Sequence, residues 1–185
     1  MNLWLRLLKV LLMGFFRPRL GIDGESVLNF RVWPTDLDFN IHMTNSRYLA
    51  LMDLGRVDLL LRCGMWRGMT RRKLQPVVGG ATLRYRRPLL PFRRFSLRTR
   101  IVGWDAKWLF MEQVLECQGE MMCRALFKGA FVGADGVVPP RELVQDMGHA
   151  PISPALPRWV TELVAAEATR DMPPLSSVGE QTCVR

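Results

Sequence analysis

Residues 46–64 carry apolar side chains on nearly every side of a helical wheel. The apolar residues of this segment are Tyr48, Leu49, Leu51, Met52, Leu54, Val57, Leu59, Leu60 and Leu61. A helix that is apolar almost all round is normally buried within its domain. Asn45 or Ser46 could cap its start, and Gly64 could end it. The sequence therefore predicts one long buried helix that other elements must cover.

Segments typical of β-strands flank this helix. A weak alternation of apolar and polar residues predicts one strand before it, over residues 26–36. Turn signals separate four further strand-like segments after it, over residues 75–87, 94–102, 107–118 and 121–132. One strand, one buried helix and four strands in succession predict an α+β fold in which a sheet curls around the helix.

The charge balance limits the classes of partner. The chain has 185 residues, a net charge of +9 and a sequence pI of about 10.2. Such a basic balance favours nucleic acid, an anionic membrane surface or a phosphate-bearing small molecule. The sequence contains no nucleic-acid-binding motif, which disfavours the first of these. The four cysteines show neither metal-ligand spacing nor a disulfide pattern, so we expect a reducing, cytoplasmic location without structural zinc.

Residues 1–20 combine apolar bulk with positive charge. The basic residues of this segment are Arg6, Lys9, Arg17 and Arg19, and no acid precedes Asp23. The apolar run is too short to span a bilayer, and Lys9 interrupts it. We favour a basic amphipathic helix that lies on an anionic membrane surface. The alternatives are a secretory signal peptide and a helix packed on its own domain or on a partner subunit.

A polar cluster of Asp38, Asn40 and His42 directly precedes the long apolar segment. A carboxylate, an amide and an imidazole at this spacing can exchange protons near neutral pH when they are held out of bulk water. The stretch 36–48, D-L-D-F-N-I-H-M-T-N-S-R-Y, is similar to the D-x-D-x-N-x-H-x-N-N-x-x-Y pattern of plant acyl-carrier-protein thioesterases and their bacterial relatives. Thr44 departs from that pattern. Residues 77–89 resemble the second strand of the same family, with its Tyr and following Pro.

The chain therefore resembles the hotdog-fold thioesterase superfamily, on the 4-hydroxybenzoyl-CoA thioesterase side. Residues 103–105 also resemble the membrane-associated group of thioesterase superfamily member six. The resemblance implies a curled antiparallel sheet wrapped around a long central helix, over residues 21–138. It implies a homodimer or a dimer of dimers, with the active site between subunits. Residues 139–185 are expected to form a Pro-rich extension with a short helix and a mobile tail.

The resemblance also implies roles for single residues. Asp38 would be the catalytic carboxylate, either as general base or as nucleophile. Asn40 would orient the water or the carboxylate, and His42 would assist proton transfer or fix the loop. The expected substrate contacts are Asn45, Tyr48, Arg84 and Arg86. The substrate would be a thioester of coenzyme A or acyl carrier protein, with no metal and no cofactor other than the coenzyme A that the substrate itself carries.

Two other functions remain open at this stage. Enoyl-CoA hydratases of the same fold resemble D-x-N-P-x-H, whereas this chain lacks the Pro and places His42 one residue early. A non-catalytic, membrane-associated acyl-CoA-binding protein is favoured by the basic N-terminal segment and by Thr44. As an alternative to a catalytic role, Asp38 could be a turn or capping residue, and Asn40 could form an Asx-turn.

Overall fold

The computed structural model describes residues 3–168, which form parts of two compact units. The first unit extends to residue 155, and the second begins at residue 156. The second unit contains one described helix, α5 (Arg158–Ala168), where the sequence predicts a short helix. The predicted mobile tail lies outside the described residues.

The described part of the first unit contains one antiparallel sheet of six strands. The strands are β1 (Glu25–Arg31), β2 (Gln75–Tyr85), β3 (Arg94–Trp104), β4 (Leu109–Cys117), β5 (Glu120–Gly133) and β6 (Gly136–Val138). The main strand order is β1-β3-β4-β5-β2, and β6 pairs with β5. β1 and β2 are therefore the two edge strands of the main path, at opposite sides of the sheet.

Four helices in the described part of the first unit pack on this sheet or on each other. They are α1 (Leu3–Phe16), α2 (Asn45–Arg62), α3 (Met65–Arg71) and α4 (Pro140–Asp146). Of these, α2 packs against β1 and β3, α1 and α3 pack on α2, and α4 packs on α3. The sheet curls around α2, whose Leu51, Met52 and Leu59 are fully buried. This arrangement confirms the α+β fold and the central buried helix. The short α3 and α4 were not anticipated, because each spans only seven residues and shows too few turns for a helical period to be recognised.

The start of α2 differs from the predicted cap. The N-cap residue is Thr44, whose extended backbone leaves its carbonyl free to accept bonds from the N–H groups of Arg47 and Tyr48, at 2.9 and 3.4 Å. Asn45 already lies inside the helix, so the assignment of Asn45 or Ser46 as the cap was wrong. The helix gives way after Cys63 to Gly64, which has a φ of 86° and fits the predicted stop.

The first strand is shorter than the alternation predicted. β1 ends at Arg31, and residues Pro34–Asp36 form a single 3₁₀ turn instead of the end of a strand. Pro34 starts this turn, since its fixed φ suits the first position of a helical turn and its nitrogen cannot donate to a ladder. The turn directs the chain inward, and Asp36 is fully buried.

The two buried charged residues Asp58 and Arg56 on α2 each have partners inside the fold. Asp58 is buried and accepts a 2.6 Å hydrogen bond from Ser26 Oγ and a 3.2 Å bond from Arg62. Arg56 is also buried, pairs with Asp53 and donates a 2.9 Å bond to Gln113 Oε1. Burial lowers the pKa of Arg56, and the Asp53 carboxylate opposes that effect. Buried charges of this kind require partners, and each has one here.

Candidate active site

The polar cluster lies on a tight loop between the 3₁₀ turn and α2. Leu37 and Met43 form a bridge across this loop, and the Asp38 N–H donates to the His42 carbonyl at 3.0 Å. The Ile41 N–H donates to the Asp38 carbonyl at 3.1 Å, and Ile41 has a φ of 59°. The loop therefore doubles back on itself, which places the side chains of Asp38 and His42 next to each other.

The Asp38 carboxylate is oriented by two neighbours. Its Oδ2 atom lies 3.5 Å from His42 Nδ1, and its Oδ1 atom accepts a 2.9 Å hydrogen bond from the Asn40 N–H. The Asp38 side chain is 24% exposed and the His42 side chain is 36% exposed. A partly exposed carboxylate fixed in this way remains accessible to a reacting molecule. Asn40 contributes its backbone N–H to this arrangement, and the residue itself is exposed.

A small cavity of about 200 Å³ opens beside His42, at the start of α2. Its lining residues are His42, Met43, Asn45, Tyr48, Tyr85, Arg86, Arg87 and Pro88. Four predicted site residues thus share one cavity: His42, Asn45, Tyr48 and Arg86. Asp38 is not a lining residue of the cavity, but its carboxylate lies beside His42, which is one. Arg84 lies two residues before Arg86 and is exposed, outside the lining.

Tyr48 forms the buried wall of this cavity. Its hydroxyl accepts a 3.2 Å hydrogen bond from the Leu89 N–H, and its ring meets Tyr85 edge-on at 5.1 Å. Burial raises the pKa of Tyr48 to about 12, while the bond from Leu89 acts in the opposite direction. The hydroxyl therefore keeps its proton at neutral pH and can donate it in a hydrogen bond. Sequence reasoning did not assign Tyr85 or Pro88 to the site, although both belong to the strand motif at residues 77–89.

The first turn of α2 adds backbone hydrogen-bond donors beside the same cavity. The N–H groups of Asn45 and Ser46 lie in the first turn of the helix, where intrahelical acceptors are lacking. The aligned peptide dipoles also give this end of the helix partial positive charge. Arg86 and Arg87 add full charges, and Arg87 is paired with Glu120. The arrangement can therefore stabilise a developing oxyanion or hold a phosphate next to a carboxylate.

Comparison with known proteins identifies the family. The model of the thioesterase-like superfamily matches residues 32–160, which is more than half of the chain. The chain belongs to the thioesterase-like superfamily. The matched region contains the polar loop, α2, the 200 Å³ cavity and five of the six strands, from β2 onwards. The predicted membership of a thioesterase superfamily is thus confirmed.

The relatives of this superfamily member include THEM6 proteins and proteins named as thioesterases. The zebrafish protein THEM6 is 38% identical over 116 residues, covering 60% of this chain and 57% of the relative. A probable thioesterase of Saccharomyces cerevisiae, YBR096W, is 26% identical over 133 residues, covering 69% of this chain and 57% of the relative. The matched region thus spans little more than half of each relative.

A solved structure supports the hotdog fold. A thioesterase from Thermus thermophilus, crystallised with coenzyme A and zinc, superposes with a TM-score of 0.57 at 23% identity. The match covers 65% of this chain and 89% of that one. At this identity the likeness establishes the fold of the superfamily member. Among residues 3–168, no group of three or more His, Cys, Asp or Glu side chains is placed to hold a metal ion.

Proposed function

We propose that this protein hydrolyses an acyl thioester, with Asp38 as the reacting carboxylate. The observation that carries this proposal is the Asp38 side chain, fixed by His42 and by the Asn40 N–H beside a cavity at the amino end of α2. It is supported by membership of the thioesterase-like superfamily. Hydrolysis of a thioester needs an activated oxygen and a place for the oxyanion, and the loop and the helix end offer one each.

Two mechanisms use the same geometry. As a general base, Asp38 accepts a proton from a water molecule as that water attacks the thioester carbonyl, and the thiolate leaves. As a nucleophile, Asp38 attacks the carbonyl itself, gives an anhydride and releases the thiolate, and water then cleaves the anhydride. In both cases His42 lies close enough to hold or exchange a proton with the carboxylate. The protonated Tyr48 hydroxyl can donate to an oxygen of the bound substrate.

Coenzyme A is the thiol component that we propose, with acyl carrier protein as the alternative. The Thermus thermophilus thioesterase of the same fold holds coenzyme A. Arg86 and Arg87 supply cationic groups at the cavity, and guanidinium groups suit phosphate oxygens. Arg84, which is exposed near the end of β2 and two residues before Arg86, would contact a more distant part of the substrate.

We also propose that the active unit is a homodimer or a dimer of such dimers. β2 is an edge strand, exposed along most of its length and on both faces. Its exposed apolar residues include Val77, Val78 and Tyr85. A second copy that paired along β2 would satisfy the free backbone groups of this edge. It would also bring a partner surface close to Tyr85, which lines the 200 Å³ cavity.

Peripheral attachment to an anionic membrane through α1 is a further part of the proposal. The outer face of α1 exposes Trp4, Leu5, Leu8, Leu12, Phe15 and Phe16. These side chains, together with Lys9 and Arg19, match the composition of an interfacial helix. None of the helices within residues 3–168 has the length and apolar character needed to cross a bilayer.

The direct test is thiol release from a panel of acyl-CoA and acyl-carrier-protein thioesters of varied chain length. Asp38→Asn should lower the activity by about two to four orders of magnitude, the usual contribution of a positioned acid–base group. Asp135→Asn is the matched control, since Asp135 is an exposed turn residue. If acyl-CoA bound tightly without turnover, and equally well to Asp38→Asn, the non-catalytic binding function would replace this proposal.

A further inference from the structure

A second and larger cavity lies between α1 and the edge strand β1. Its volume is about 930 Å³, within the range of small-molecule sites. It shares no lining residue with the cavity at His42. α1 and the whole of β1 precede residue 32, where the match to the superfamily model begins. This cavity is therefore built largely by a segment that the superfamily match does not include.

Arg6 of α1 and Arg17, which directly follows the helix, both contact β1 beside this cavity. Arg6 donates to the Arg31 carbonyl at 3.3 Å, and Arg17 donates to the Val27 carbonyl at the same distance. Both acceptors belong to β1, whose one strand partner within residues 3–168 is β3. The N-terminal segment is thus attached to the free edge of the sheet at two points, and the cavity lies beside them.

Apolar and polar side chains both line the cavity, and the apolar ones form part of its wall. The apolar and aromatic lining residues are Val10, Met13, Leu28, Phe30, Trp33 and Phe95. Val10, Leu28 and Phe95 are buried core residues, whereas Met13 is 44% exposed. An alkyl chain that replaced water along this wall would be stabilised by the apolar area it buries. The exposed Met13 connects the cavity to the apolar outer face of α1.

The charges around the cavity are almost all positive. Lys9, Arg31 and Arg94 line it and form no ion pair with any residue between 3 and 168. Arg6 also lines it but is already paired through Nη2 with the buried Asp36, so the unpaired cations are the other three. Glu116 is the acidic residue in the lining. Unpaired cations around an apolar space favour an anion with an apolar body.

We propose that this cavity binds a single-chain anionic amphiphile, namely one long acyl chain with a carboxylate or phosphate head. The chain lies along Val10, Leu28 and Phe95, and the head lies among Lys9, Arg31 and Arg94. The site is separate from the thioester site, and its existence does not depend on the hydrolysis proposed above. Neutral lipids of equal length lack the charge that these cations require, and small anions lack the chain.

Calorimetric titration of the full-length protein with monomeric ligands tests this proposal. The probes are oleate and 1-oleoyl lysophosphatidate, with oleyl alcohol and inorganic phosphate as the ligands that lack the head charge or the chain. We expect both anionic amphiphiles to bind, the alcohol to bind at least about tenfold more weakly, and phosphate not to bind. Equal binding of the alcohol would overturn the proposal. The ratio of oleate to lysophosphatidate affinity identifies the preferred head group.

A pair of charge-reversal variants locates the site. Lys9→Glu with Arg94→Glu should weaken oleate binding about tenfold or more. Arg67→Glu with Arg141→Glu changes the net charge equally at exposed positions outside the lining, and should leave binding unchanged. Asp38→Asn should also leave it unchanged. If the two double variants weakened binding equally, or if Asp38→Asn abolished it, the ligand would lie elsewhere and the inference would fail.

Photolabelling of the unmodified sequence gives an independent measurement that requires no variant to fold. A diazirine-bearing palmitate should label peptides from α1 or β1, as mass spectrometry of the digested protein would show. Labelling confined to peptides that carry His42 or Tyr85 would assign the fatty acid to the thioester site and overturn the proposal. Excess oleate should suppress the expected labelling, whereas excess phosphate should not.

Discussion

Arg6 of α1 and Asp36 of the 3₁₀ turn form an ion pair at 2.6 Å, with side chains that are 1% and 0% exposed. Arg47 adds a second cation, since its Nε atom lies 3.1 Å from the other oxygen of Asp36. The Trp33 N–H donates to the same carboxylate at 2.9 Å. Asp36 therefore ties the N-terminal helix and the first turn of α2 to the segment that leads into the loop carrying Asp38 and His42.

Removing Arg6 should destabilise the protein strongly. Arg6→Met keeps much of the side-chain volume but leaves the buried Asp36 carboxylate with Arg47 as its remaining cation. Loss of one partner from a buried pair typically costs about 3–5 kcal/mol, and urea unfolding measures that change. Arg87→Met, which removes an exposed pair with Glu120, should cost less than about 1 kcal/mol. If the two variants lost equal free energy of unfolding, the buried pair would contribute no more to stability than the exposed pair.

Two glycine substitutions should change the free energy of unfolding in opposite directions. Gly55 lies on α2, and an added Cβ would come within 2.5 Å of Thr99 Oγ1 and 2.8 Å of Gln113 Nε2, both buried. Gly55→Ala should therefore destabilise by about 1–3 kcal/mol, despite the better helix propensity of Ala.

Gly14→Ala is the matched control for this effect. Gly14 lies in α1, where an added Cβ would meet Leu61 Cδ1 at an ordinary 3.5 Å. The substitution should stabilise by about 0.5–1 kcal/mol, because Ala loses less conformational entropy in a helix. Thermal or urea unfolding of both variants measures the difference. A stable Gly55→Ala protein would mean that α2 can shift away from β3 and β4 at little cost.

Tyr48 should ionise only at strongly alkaline pH. The sequence has two tyrosines, so Tyr85→Phe leaves Tyr48 as the only source of tyrosinate absorbance. Because burial raises its pKa to about 12, the absorbance should appear near that pH in the folded variant and near about 10 in denaturant. A folded-state midpoint near 10 would contradict the buried position of the hydroxyl.

The same shift predicts how stability depends on pH. A pKa raised in the folded state means that folding favours the protonated hydroxyl. The resulting stabilisation is complete below about pH 10 and is lost as pH rises towards 12. Burial also raises the pKa of Cys63 to about 11 and of Cys123 to about 12, so these thiols act in the same direction. The unfolding free energy of Tyr48→Phe should therefore fall less steeply than that of the parent protein above pH 10.

The proposed pairing along β2 can be tested at Val78. This residue is 52% exposed on the edge strand, and Val78→Lys would place a charge in a two-copy interface. We expect the parent protein to sediment as a dimer and the variant to shift towards monomer. Val137→Lys on β6, at a residue 45% exposed, is the matched control and should leave the assembly unchanged. An unchanged dimer in Val78→Lys would exclude this edge as the interface.

The sequence by itself determined the elements with strong periodicity. The central helix and the four later strands appear within about three residues of their predicted bounds. The helix was recognised from its long apolar run, and the strands from alternation and turn residues. The stretch 36–48 was sufficient to identify the family and to single out Asp38 and His42. The sequence could not predict which residues contact these side chains, because the contacting residues lie far away along the chain.

The tertiary structure decided how the N-terminal helix packs and which residues form the cavities. The sequence favoured a basic helix on a membrane surface and left packing on its own domain as an alternative. In the fold, α1 buries Arg6 because Asp36, thirty residues away, neutralises it, while its outer face remains exposed. Likewise, Tyr85 reaches Tyr48 and His42 only because β2 ends beside the start of α2. Local propensity acts over a few residues, whereas charge neutralisation and cavity shape depend on contacts that only the folded chain creates.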